Sequence, residues 1–70
     1  MIYAIETTGF GKRTRYAIKA VDERGTIPVN YVTYRTEAAC WAAAELLGLK
    51  ITAVGDFWQL LHAAGKAVQA

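Results

Sequence analysis

Three cations and two aromatic side chains share the eight positions Gly9-Phe10-Gly11-Lys12-Arg13-Thr14-Arg15-Tyr16. Gly11-Lys12 is the pair that closes a phosphate-binding loop. That loop also needs a glycine five positions ahead of the pair, a Ser or Thr directly after the lysine, and a helix beyond it. Glu6 and Arg13 stand at those two positions, and Thr14 to Val21 alternates as a strand does. Without a helix N-terminus the segment lacks the dipole and free N–H groups that hold phosphate. For catalysis it reads as a flexible hairpin loop.

The other reactive side chains are dispersed. His62 is the single histidine. A general base needs an orienting partner and a nucleophile in reach, and neither spacing is present around it. It stands off the apolar stripe of its helix, beside Gln59 and Lys66, and reads as an exposed residue. Cys40, flanked by Ala39, Trp41 and Ala42, sits among apolar neighbours that raise a thiol pKa and suppress its reactivity, so it reads as a packing residue. The carboxylates Glu6, Asp22, Glu23, Glu37, Glu45 and Asp56 form no pair at catalytic spacing and no calcium loop. One cysteine builds neither an internal disulfide nor a thiolate zinc site, and it fits a reducing cytoplasm. The expectation is no enzyme: no catalytic residue, no metal, no cofactor.

Binding chemistry has more to stand on. Lys12, Arg13 and Arg15 fall within four residues, and Lys19 follows on the strand face of Arg15, with Phe10 and Tyr16 close by. Cations and aromatics carried on strands suit a phosphate backbone, and strand-based readers enter DNA grooves. Gly11-Lys12-Arg13 at the first hairpin and Tyr34-Arg35-Thr36-Glu37-Ala38 at the start of the first helix resemble the arm-type DNA-binding domains of phage integrases. The likeness covers about the first two thirds of the chain and implies a small three-stranded sheet packed on one helix. The chain departs from that pattern in its extra C-terminal helix, in having no recombinase domain attached, and in a net charge of only +2, slight for a protein whose affinity comes largely from phosphates.

A second surface is apolar. Between Glu37 and Glu45 the first helix carries only Ala, Cys and Trp, the composition of a buried helix. Trp41 is expected to close the core. Trp58 and His62, four residues apart, project from the less apolar side of the second helix, and Trp58 either covers a sheet edge or anchors an interface.

The elements that must position these residues follow from period and punctuation. Ile2 to Thr7 and Thr14 to Val21 read as a hairpin, Asp22 to Gly25 as a tight turn, and Ile27 to Tyr34 as a third strand, which either begins at an edge or pairs only after Pro28, since proline lacks the ladder N–H. Thr36 can cap a helix running through Leu47, with Gly48 as its terminating glycine and Leu49 as the accompanying apolar contact. Asp56 and Gln59 have the spacing of a capping box, and Phe57, Leu60, Leu61, Ala64 and Val68 make one apolar stripe. The fold class expected is α+β: a three-stranded antiparallel meander followed by two helices packed on one face, β-β-β-α-α, in a single small domain over 1–70. Whether residues 50–52 add a fourth strand stays open.

With 54% apolar residues in 70, the chain should fold, yet so small a domain has little interior for that much hydrocarbon. The surplus points to a partner. No secretory signal opens the sequence, and Ala38 to Leu49 is too short and too charged to span a bilayer. A soluble, unprocessed cytoplasmic protein with no membrane contact is expected. In brevity and make-up the chain is similar to the accessory proteins of phages and mobile elements, among them the anti-CRISPR inhibitors. That resemblance implies stoichiometric occlusion of a host protein or ribonucleoprotein complex, here through Phe10, Lys12, Arg13, Arg15, Lys19, Trp58 and His62. A small DNA-binding module using the basic hairpin 9–19 is the alternative, and a self-associating homodimer the third reading.

Overall fold

The computed structural model describes residues 1–69, with side chains through Lys66. Strands β1 (Ile2–Thr8), β2 (Arg15–Asp22) and β3 (Gly25–Tyr34) form the expected antiparallel meander. Helix α1 (Glu37–Leu46) follows, then a fourth strand β4 (Ile51–Gly55) and helix α2 (Phe57–Gln69). The sheet order is β3-β2-β1-β4, and β4 runs parallel to β1. The fold is α+β with a mixed four-stranded sheet and two helices.

The local signals act as the chemistry dictates. Asp22 Oδ1 accepts from the Arg24 N–H at 2.8 Å and closes the β2–β3 turn. Thr36 Oγ1 accepts from the Ala39 N–H at 3.1 Å as the cap of α1. At the other end of α1 the Leu49 N–H donates to the Ala44 carbonyl and the Gly48 N–H to that of Glu45, both at 3.0 Å, with Gly48 at φ 72°. This pair of bonds is the Schellman arrangement, which left-handed glycine allows. Asp56 and Gln59 cap α2 reciprocally, each backbone N–H donating to the other's side chain at 2.9 Å.

Packing departs from the expectation in one major respect: the helices lie on opposite faces. Successive strand residues point to opposite sides of a sheet, and the neighbours Ala4 and Ile5 are both fully buried. Ala4 packs with Val21, Leu60 and Ala64, which places α2 on its side. Ile5 packs with Ile18, Cys40 and Ala44, which places α1 on the other. A central strand covered on both sides needs a layer on each, so a two-layer arrangement with both helices together cannot bury it. The same finding revises the first helix. Only Cys40 and Ala44 of α1 are buried; Trp41 is 41% exposed, and its indole N–H donates to Glu37 Oε2 at 3.1 Å instead of closing the core. On α2, Leu60 and Ala64 face inward, whereas Val68 lies outside the described side chains.

Strand β3 is irregular. Ala17 pairs with Thr33 while Lys19 pairs with Pro28, so four residues of β3, 29–32, stand against the single Ile18 of β2. Within this bulge Tyr31 adopts φ 58°, and Asn30 stitches the excursion together: its Nδ2 donates to Tyr34 Oη at 3.0 Å and its Oδ1 accepts from the Val32 N–H at 3.3 Å.

Candidate binding surface

The loop that joins β1 to β2 is a built turn. Gly9 takes φ 81°, and a β-carbon there would come within 2.5 Å of the Arg13 carbonyl oxygen. A short 3-10 turn over Gly11–Arg13 follows, in which the Arg13 N–H donates to the Phe10 carbonyl at 3.0 Å and the Thr14 N–H to that of Gly11 at 3.1 Å. The Arg15 guanidinium then reaches back to the carbonyls of Thr14 at 2.8 Å and Lys12 at 3.2 Å. These bonds fix the turn and leave its tip outside: Phe10 is 93% exposed, with Lys12 and Arg13 exposed beside it.

The seven residues expected to bind divide into three groups. Phe10, Lys12 and Arg13 share the loop and are free to meet a partner. Trp58 and His62 share the outward side of α2, one turn apart; Trp58 is 75% exposed and stacks edge-on against Phe57 at 5.3 Å between ring centroids. Register brings the loop and the start of α2 to the same end of the sheet, because Thr8 pairs with Arg15 at the loop while Glu6 pairs with Gly55, just before α2 begins. Arg15 and Lys19 form the third group, and both are already engaged. Arg15 braces the loop, and Lys19 Nζ lies 3.7 Å from Glu6 Oε1 with both side chains largely covered. The expected basic stripe therefore narrows to Lys12 and Arg13.

Arg35 joins this end of the molecule unforeseen. It is exposed in the link between β3 and α1, next to Tyr34, which pairs with Tyr16 at the start of β2. Its position could be read only once the strand ends were aligned. Two carboxylates lie at the same end, and both are bonded within the fold. Asp56 caps α2, and Glu37 accepts the Trp41 indole proton.

Cys40 is buried, and desolvation, helped by the Glu37 carboxylate, pushes its thiol up from the ordinary range. Among the described residues no three of His, Cys, Asp or Glu gather closely enough to hold one metal ion, and no helix is long and apolar enough to cross a membrane. Comparison with known proteins finds no matching family model, no matching curated protein and no matching solved structure.

Proposed function

We propose that this chain is a non-enzymatic binding protein that docks on a host protein or nucleoprotein complex through the loop around Phe10 and inhibits it by occlusion, in the manner of the phage inhibitors of the anti-CRISPR type. The observation that carries the reading is the contrast within one loop. Its backbone is held by hydrogen bonds and by a glycine that tolerates no side chain, yet its aromatic tip is almost wholly in water. A preorganised aromatic loses little conformational freedom on binding, and buried aromatics with arginines dominate interface energetics. Lys12 and Arg13 beside it favour an acidic partner surface and speed the encounter.

The DNA-binding reading is weaker because of where the cations went. Each phosphate contact contributes about one unit to the salt dependence of affinity. With Arg15 bound to backbone carbonyls and Lys19 to Glu6, the hairpin offers Lys12 and Arg13, with Arg35 nearby, in place of a four-residue track. The test pairs two measurements. Immobilised chain should capture a host protein from bacterial lysate, identified by mass spectrometry, and the Phe10→Ser and Lys12→Glu/Arg13→Glu variants should lose it while melting like the parent. Mobility shift of duplex DNA at two salt concentrations should show no salt-sensitive complex; a complex formed without any partner protein would make DNA binding the function instead.

A further inference from the structure

The two borders of the sheet are finished differently. The β3 border is interrupted by Pro28 and by the excursion through Tyr31, which leave no continuous row of groups for another strand to meet. Strand β4 forms the other border and pairs only with β1. Its outward N–H and C=O groups over Ile51–Gly55 therefore have no sheet partner, and no backbone bond from a loop or cap among the described residues reaches them. Two of the usual guards of an edge are missing, since the segment holds neither a charge nor a proline. Its one irregularity against β1 falls at Thr52, whose hydroxyl donates to the Tyr3 carbonyl at 3.2 Å; beyond it Ala53, Val54 and Gly55 pair with Ala4, Ile5 and Glu6 in unbroken register. Charge stands at the two ends: Lys50 just before the strand and Asp56 just after it, both exposed. Asp56 uses one carboxylate oxygen, Oδ1, to cap α2.

We infer that β4 is a dimerisation edge, which pairs antiparallel with β4 of a second copy and continues the sheet from four strands to eight. The open backbone groups fix the class of occupant, because a row of strand N–H and C=O groups is matched by another extended strand. The charge pattern selects a second copy. A two-fold axis perpendicular to the sheet at Ala53 sets that residue opposite its own counterpart, Thr52 opposite Val54, and Ile51 opposite Gly55. The next pair outward, at both ends, is Lys50 with Asp56. Opposite charges thus meet twice through one symmetry operation, with uncharged residues between them, and such cross-strand pairs stabilise a sheet. Parallel self-pairing would set lysine against lysine and aspartate against aspartate, which disfavours it. Association stops at two copies, because the β3 borders then lie outermost and accept no further strand. The pairing is separate from the Phe10 loop and does not depend on the docking reading.

Sedimentation equilibrium of the whole chain over a range of concentrations should show a reversible monomer–dimer equilibrium and nothing larger. Amide hydrogen exchange should slow in Ile51–Gly55 as concentration rises, while exchange in Gly25–Tyr34 stays the same. Val54→Lys places a cation in the border at an exposed position and should raise the dissociation constant by roughly tenfold or more. Asp56→Asn keeps the α2 cap, since Asn caps as well as Asp, but removes the charge at both ends. It should weaken the dimer by about fivefold, as two exposed ion pairs are lost at once, and flatten its dependence on salt. If Val54→Lys fails to fold, Asp56→Asn and the exchange pattern decide the matter. A dimer whose β4 amides exchange as fast as the monomer's overturns the proposal, as does one indifferent to both substitutions. A parent that stays monomeric also overturns it, and β4 amides protected only in complex with a captured host protein would give the border to a foreign strand. Phe10→Ser should leave the dimer untouched, so loss of docking and loss of pairing are read separately.

Discussion

Lys19 on β2 and Glu6 on β1 are diagonal neighbours on one face of the sheet, and their charges meet at 3.7 Å where the Glu6 side chain is nearly closed off from water. A carboxylate in that position needs its counter-charge, since a buried polar group stripped of its partner costs about 1–3 kcal/mol. Lys19→Ala should therefore lower stability to urea by about that amount. Replacing both residues by leucine should recover most of the loss, because apolar pairs of similar size often match a buried ion pair. Recovery in the double variant is the outcome that separates a lost partner from a lost packing contact.

Gly55 and Gln59 make a second coupled pair. A β-carbon on Gly55 would run into the Gln59 side chain, whose carboxamide caps α2 by accepting from the Asp56 N–H. Gly55→Ala should displace that carboxamide and cost about 1 kcal/mol, the usual value of a cap. In a Gln59→Ala background the same substitution should cost much less. Thermal melting of the four proteins in the cycle measures the coupling directly.

The buried Cys40 thiol gives stability a dependence on alkaline pH. Its native pKa is raised, first by desolvation and then by Glu37. The native state thus keeps a proton that the unfolded chain releases at about pH 8.5. Stability from this source is full below that pH and declines as pH rises toward the native value. Denaturation at pH 7 and pH 10 should show a larger loss for the parent than for Cys40→Ala, and a thiol reagent at neutral pH should react only after unfolding.

Two substitutions in the first loop should act in opposite ways. Gly9→Ala forces a side chain into left-handed backbone against the Arg13 carbonyl and should cost about 1–2 kcal/mol or more. Phe10→Ser removes a ring that touches mostly water and should leave the melting temperature unchanged while abolishing partner capture. Equal destabilisation by the two would mean that Phe10 serves the fold.

What the sequence disclosed was local. Thr36, Gly48, Asp56 and Gln59 each act through bonds to residues a few positions away, and all four behave as their types require. The β1–β2 hairpin and the Asp22–Gly25 turn were legible for the same reason. What stayed hidden depends on distant pairing. Ile51–Gly55 carries three β-branched residues but is only five long, too short a run to place by itself; its place beside β1 is decided by an edge that β1 leaves open after pairing with β2. Once β4 occupies that edge, α1 must cross from β3 to β4 over one face and α2 returns over the other, which is why two helices expected together lie apart. The site was half legible for a related reason. Composition revealed the cluster of cations, but the partners that engage Arg15 and Lys19 come from backbone carbonyls and from a neighbouring strand.

The excursion at Tyr31 bears on how such a chain survives at high concentration. A foreign strand trying to zip alongside Gly25–Tyr34 would lose its footing midway, where Pro28 offers no N–H and the backbone swings out of the pleat. One border of the sheet is thus sealed against recruitment, and stacking by that route into endless ribbons is barred by geometry.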